Sequence, residues 1–200
     1  MDQPLGRTAG NALEIVEVIE VLRGNGPKDL VELILALGGQ MLAQGQVAEG
    51  AAATSLLEQK LQSGEALDRF RAMIEAQGGD PRIVDNPELL PTAPLDEAIR
   101  APSNGSISAV NAEAIGRACL GLGAGRKTND APINPAVGIS SMRKVGEDVQ
   151  RGDILAIVHA HDPASLEMVL PWVSDAFTIS EDQIQSPPLI SGVIEGKNGS

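Results

Sequence analysis

Aromatic residues make up only 2% of this chain: there is no Tyr, one Trp (Trp172) and two Phe (Phe70 and Phe177). A core built under that restriction must be aliphatic. The stacking platforms on which single-strand nucleic-acid binders hold bases are missing too. Basic residues are outnumbered by acidic ones, giving a formal net charge of −12. That balance excludes a sequence-independent nucleic-acid or anionic-membrane surface, since both need clustered Lys and Arg. A single cysteine, Cys119, excludes an internal disulfide and fits a reducing, cytoplasmic setting. It falls among Ala114, Ile115, Ala118 and Leu122 in a helical apolar pattern, which reads as a packed thiol rather than a nucleophile. No apolar run approaches the ~20 residues that a bilayer span demands. Met1–Gly10 carries Asp2, Pro4 and glycines where a secretion signal would be apolar. No internal repeat is visible.

What the chain does have is aliphatic patterning. Its 200 residues, 42% of them hydrophobic, suffice for one ordinary domain or two small ones. The opening stretch Met1–Gly24 reads as a glycine-punctuated loop running into an apolar helix, with Asn11 as its N-cap. Leu13, Val16, Ile19 and Leu22 recur at helical spacing, and Ile15, Val18 and Val21 widen the face. Glu14, Glu17 and Glu20 form a thin acidic ridge. So apolar a helix must be buried over most of its circumference, and nothing before it offers cover. The expectation is that it docks on protein outside this chain.

Three more helices follow, separated by glycine stops. One starts at Pro27 and carries Leu30, Leu33, Ile34, Leu37, Met41 and Leu42. The next spans Ala48–Gln62, and the last carries Leu67, Phe70, Met73 and Ile74. Asp80–Pro94, with Pro81, Pro87, Pro91 and Pro94, has no period and reads as an ordered connector. Beyond it the pattern is mixed. Strands are expected at Leu95–Ala101, Gly105–Val110, Ala136–Ser140, Ile154–Ala160 and Ser186–Ile194, and helices at Ala112–Leu122 and Ser165–Ser174. The tail Lys197–Ser200 is expected to fray.

Three segments carry candidate chemistry. The loop Leu5–Gly10 precedes Glu17, and a helix start also attracts anions, with Arg7 at hand. Against a role for Glu17 stands its membership of a solvated ridge. Gly121–Asp130 is glycine-rich with Arg126 and Lys127 adjacent. It reads as a mobile flap over a phosphate or cleft, or as an ordinary helix stop with Gly123 and Gly125 as cap and turn. Val145–Asp162 has the turn-and-strand pattern of barrel-sandwich carrier modules, but His159-Ala160-His161 stands where a carrier needs a lysine. Two histidines fall short of the three or four ligands of a zinc site.

Several separated blocks carry a family resemblance. DQPLGRTAGNALEIVE (Asp2–Glu17) resembles the segment after a central strand in thymidine and pyrimidine-nucleoside phosphorylases. Pro27–Gly45, Ala66–Gly78, Asn104–Val110, GLGAGRKTND (Gly121–Asp130) and VGEDVQRGDILAIVHA (Val145–Ala160) continue it in order. The resemblance implies an α+β chain in three parts. Residues 1–80 are a helical remnant of an α/β catalytic domain, and 81–94 are a Pro-rich connector. Residues 95–196 are a mixed α/β hammerhead, barrel-sandwich-like C-terminal domain.

The resemblance also implies a pentosyltransferase that turns a pyrimidine nucleoside and inorganic phosphate into free base and (deoxy)ribose 1-phosphate, usually as a homodimer. A potassium ion would be held by the backbone carbonyls of Leu5 and Thr8 and the side chain of Glu17. Many members carry alanine where Thr8 stands, a mild departure because a carbonyl ligand depends little on its own side chain. The family's phosphate loop, of K-H-S-T-G-G type, and its base-binding H-T-G-G-T region have no match here. The chain is therefore expected to be the carboxy-terminal portion of such an enzyme, inactive alone and without most of the helices through which the family dimerises. A non-catalytic helical and barrel-sandwich binding module is the other reading.

Overall fold

The computed structural model describes residues 3–126 and 128–194. The expectations for Met1, Asp2, Lys127 and the 197–200 tail lie outside those residues. Four helices open the chain: α1 (Asn11–Leu22), α2 (Lys28–Gln44), α3 (Gly50–Gln62) and α4 (Glu65–Ala76). Two 3-10 turns, Pro81–Val84 and Pro87–Leu89, form the connector. There follow β1 (Leu95–Arg100), β2 (Gly105–Val110), α5 (Ala112–Leu122), β3 (Gly138–Ser140), β4 (Asp148–Val149), β5 (Ile154–Ala160), α6 (Pro163–Asp175) and β6 (Phe177–Ser180). The chain is α+β, with two antiparallel three-stranded sheets ordered β1-β5-β3 and β4-β2-β6.

The main buried cluster is aliphatic, as the scarcity of aromatics requires. Ile107, Ile115, Ile139, Met142, Leu155, Val169 and Val173 are fully enclosed within it. The alternate residues Ala156, Val158 and Ala160 of β5 are buried, which puts one face of that central strand into the core. Helices α5 and α6 pack so closely that a methyl on Gly121 would stand 3.0 Å from Val169. The connector is held by side chains rather than by period. Arg71 grips Asp85 with two hydrogen bonds of 2.7 and 2.8 Å, and Arg23 at the end of α1 donates to the Val84 carbonyl at 2.7 Å.

Several expectations need correction. The N-cap of α1 is Gly10, and Asn11 is the first helical residue, its amide donating to the Ala124 carbonyl at 2.9 Å. Ser186–Ile194 forms no strand. The open edge of β2 is taken instead by β6, which follows α6 after the single residue Ala176, while Pro187 and Pro188 have no N–H to offer a ladder. Ala136–Ser140 pairs only from Gly138, and α6 begins at Pro163, where the Asp162 carboxylate accepts the Ser165 N–H at 2.9 Å.

The opening helix is covered in part by its own chain, while Val16 stays 37% exposed and Leu13, Ile15, Val18 and Leu22 are only half-buried. Ala12, Ile19 and Val21 of α1 are buried, packed toward β3 and α4 within the same chain. Helices α2 and α4 have no buried residue, and α2 is the more open, with Leu37 and Met41 57% and 71% exposed.

Candidate functional site

The loop Gln3–Gly10 is stitched to the second half of the chain along its whole length. Ala9 and Ile139 exchange backbone hydrogen bonds of 2.8 and 2.7 Å, adding one bridge to the β3 edge. The Met142 N–H donates to the Arg7 carbonyl, and the Val145 N–H donates to the Gln3 side chain, both at 3.0 Å. Such close backbone contact needs glycine. A Cβ on Gly10 (φ 135°) would lie 2.6 Å from the Val137 carbonyl oxygen, and one on Gly138 (φ 156°) would overlap the Ala9 carbonyl.

Glu17, one helical turn and more into α1, folds back onto this loop. Its carboxylate accepts the Arg7 backbone N–H at 2.8 Å and the Thr8 hydroxyl at 3.1 Å. Glu14 accepts the Gly10 N–H at 2.9 Å, and Glu20 pairs with Arg23 at 2.9 Å. The acidic ridge is thus three carboxylates with assigned partners, not a merely solvated face. Helical spacing predicted the row; only the return of the loop shows what the row is for.

The carbonyls from Pro4 to Ala9 fall into three sets. Those of Pro4 and Gly6 accept from the Lys144 ammonium, the second at 2.9 Å. Those of Arg7 and Ala9 are used by Met142 and Ile139. The carbonyls of Leu5 and Thr8 accept no backbone hydrogen bond among the described residues. Those two, with the Glu17 carboxylate, are the three groups that the family resemblance implies for a monovalent cation. The donor set fits such an ion: hard oxygens, one negative charge, and a backbone turned by Gly6 at φ 66°.

Nearby charges are matched in pairs. Lys144, its side chain 11% exposed, pairs with Asp29 of α2 at 3.1 Å. Arg7 pairs with Glu147 through both guanidinium nitrogens and donates to the Met142 carbonyl at 3.0 Å. The Glu147 hydrogen bond raises the Arg7 pKa. Burial alone would raise the Glu147 carboxyl, but the hydrogen bond and charge of Arg7, helped by the Lys144 backbone and Arg143, hold it below its ordinary value. Glu17 has no cationic side chain against it among the described residues. At the helix start the Gly10 and Ala12 N–H groups are taken by Glu14 and Pro135, and Arg7 is turned to Glu147, which leaves fewer donors there for a phosphate.

Lys144, Asp29 and Glu147 escaped the sequence reading. Lys144 meets the loop across 138 and 140 residues of chain, and no local spacing signals a contact of that range.

The other candidates find structural places. Gly123 caps α5 in the left-handed conformation (φ 97°) and accepts the Asn134 N–H at 2.9 Å, while Arg126 is exposed. The Cys119 thiol touches the Ala9 carbonyl at 3.5 Å, and burial, with Glu14 nearby, pushes its pKa up to about 12. His159 Nε2 lies 2.8 Å from Ser140 Oγ, and Asp96 stands directly across from His159 on β1. Burial lowers the His159 pKa against the opposing charge of Asp96. No hydrogen bond joins those two among the described residues, so the three do not form a relay. His161 is exposed at the turn into α6. A concavity of about 830 Å³ lies between α5 and α6 and is lined by Arg117, Leu120, Met168 and Trp172. None of the loop residues borders it.

Comparison with known proteins agrees with the fold. Residues 106–180 match the family described as the pyrimidine nucleoside phosphorylase C-terminal domain. Proteins named pyrimidine-nucleoside phosphorylase from Staphylococcus aureus strains USA300, NCTC 8325 and COL are each 40% identical over 195 residues, covering 97% of this chain and 45% of the relative. The chain therefore spans a little under half the length of the curated relatives it matches.

Proposed function

Because this chain belongs to the pyrimidine-nucleoside phosphorylase family, we propose that it serves phosphorolysis of a pyrimidine nucleoside such as thymidine. In that pentosyl transfer a phosphate oxygen bonds to the anomeric carbon and the glycosidic C–N bond breaks. The base leaves with the bonding electron pair and takes up a proton. The products are free base and (deoxy)ribose 1-phosphate.

The contribution we assign to these residues is the cation loop. Leu5 and Thr8 offer carbonyl oxygens and Glu17 offers the charge. A bound potassium ion would neutralise Glu17 and fix the loop between α1 and β3. The single observation that carries this reading is the Glu17 carboxylate, folded onto the loop with no cationic side chain against it among the described residues. Residues 1–80 act as the helical part of the catalytic domain, 81–94 as connector and 95–196 as the C-terminal domain. The complete enzyme works as a cytoplasmic homodimer, and the chain alone does not turn over. No described helix is long and apolar enough to cross a membrane.

Two measurements test the reading. Absorbance loss from thymidine in phosphate buffer should not exceed the blank for the purified chain. The melting temperature should rise with KCl, at ionic strength held constant with choline chloride, and Glu17→Gln should abolish that rise. A phosphate-dependent absorbance loss overturns the inactivity of the chain, and an undiminished potassium response in Glu17→Gln overturns the cation loop. The exposed apolar face of α2 favours the second reading, a binding module. Concentration-dependent self-association abolished by Met41→Glu would support it.

A further inference from the structure

We propose that Lys144 is the positioning residue of the cation loop, an inference that rests on the cation reading above. Its ammonium is almost enclosed, and it has three partners: the Pro4 carbonyl, the Gly6 carbonyl at 2.9 Å and the Asp29 carboxylate at 3.1 Å. An ammonium has three N–H bonds, so these contacts satisfy it fully. A buried lysine held this way is ordinarily costly, since removing a charge from water is offset only by good partners. Two of those partners are backbone carbonyls on either side of Leu5. Holding the carbonyls of residues 4 and 6 fixes the Pro4–Leu5 and Gly6–Arg7 peptide planes. These lie on either side of the Leu5–Gly6 plane that carries the Leu5 carbonyl, and the Met142 N–H fixes the Arg7 carbonyl in the plane that precedes Thr8. Between Pro4 and Ala9 the two carbonyls left over are the two that would meet the cation.

Charge supports the same assignment. A second positive charge beside a cation site repels the ion unless it is balanced. Asp29 supplies that balance from α2, as Glu147 does for Arg7. The loop therefore presents Glu17 to an incoming ion with its two nearest cationic side chains already neutralised. Lys144 shapes the loop while Asp29 removes the electrostatic cost of having it there. Because Asp29 belongs to α2 and Lys144 to the segment between β3 and β4, the same contact ties the otherwise open second helix to the loop.

The test is the potassium midpoint, meaning the concentration of half-occupancy fitted to the logarithmic rise of melting temperature, with potassium as the only ion varied against choline. Wild type should respond and Glu17→Gln should not. Lys144→Met should move the midpoint to higher potassium by about 10- to 100-fold, the usual penalty for losing a group that orients metal ligands. Loss of stability alone lowers the curve without moving its midpoint. Should Lys144→Met fail to fold, Asp29→Asn carries the test, with a smaller shift in the same direction. An unchanged midpoint in the folded variant overturns the inference while leaving the cation loop intact. A lower midpoint in Lys144→Met also overturns it, and would mean that the ammonium competes with potassium for the same oxygens. No response in wild type overturns the cation loop and this inference together.

Discussion

The Glu17 carboxylate occupies the space that a side chain on Gly6 would need: a Cβ there would overlap Oε2 and stand 3.0 Å from the carboxyl carbon. The helix and the loop are thus complementary at the level of single atoms, and the complementarity depends on one absent methyl group. Gly6 also sits at φ 66°, where L side chains are strained.

Gly6→Ala should therefore lower stability by roughly 1–3 kcal/mol, the range for a strained backbone site, with the carboxylate displaced as well. Gly24→Ala is the control, since its φ of 85° carries similar strain but nothing lies within 4 Å of the new methyl. Urea unfolding of both variants separates backbone strain from the clash with Glu17. Equal losses would mean that the Glu17 contact is slack.

Gly138→Ala attacks the seam from the other side. The added methyl meets the Ala9 carbonyl and stands 3.0 Å from the Gly10 Cα, both backbone that cannot rotate away. Hydrogen exchange should show lost protection at the Ala9 and Met142 amides, while β5 amides paired to β1 keep theirs. Uniform loss across both sheets would mean that the loop is integral to the core rather than docked on it.

Arg7→Met should cost no more than about 1 kcal/mol at neutral pH, because the Arg7–Glu147 pair is partly exposed and screened. The effect has a pH signature. Glu147 titrates below its ordinary value of 4.5 in the folded chain, so its contribution is present above that pH and is lost as pH falls through the folded value. The stability gap between wild type and Arg7→Met should be widest near pH 7 and close toward acid. A gap that persists at pH 3 would point to packing rather than charge.

His159 gives the opposite chemistry with the same direction. Its folded pKa is lowered from 6.5, chiefly by burial, so as pH falls below 6.5 the unfolded chain takes up a proton that the folded chain resists. Wild type should lose stability over that window more steeply than His159→Gln. Parallel pH profiles for the two proteins would show that the imidazole titrates freely and that its bond to Ser140 is loose.

Patterning made much of the fold legible before any coordinates. Helix α5 and strands β2 and β5 were readable to the residue, because Gly123 stops the first and the other two are short apolar runs that open at Gly105 and just after Gly152. Phe177–Ser180 was not readable. Four residues directly after a helix carry too short a pattern, and that strand exists only because β2 has an edge to fill. Pro187 and Pro188 bounded a run that looked extended, but without N–H groups it had no ladder to join.

The site divides in the same way. Leu5, Thr8 and Glu17 lie within 13 positions of one another, so a motif could hold all three. Lys144 and Glu147 lie about 140 residues from the loop they serve, and their role depends on a docking that no local period encodes.

The sequence by itself determined an aliphatic α+β chain and its helix stops, because these follow from short-range spacing and from what each residue can or cannot do. The three oxygen donors of the loop are what its family resemblance implies. Only the tertiary structure decided that the opening loop is stitched to β3 and the segment after it, and that buried Lys144 bonds the carbonyls on either side of Leu5. Those outcomes depend on long-range packing, in which a buried charge must find its partners wherever the folded backbone brings them.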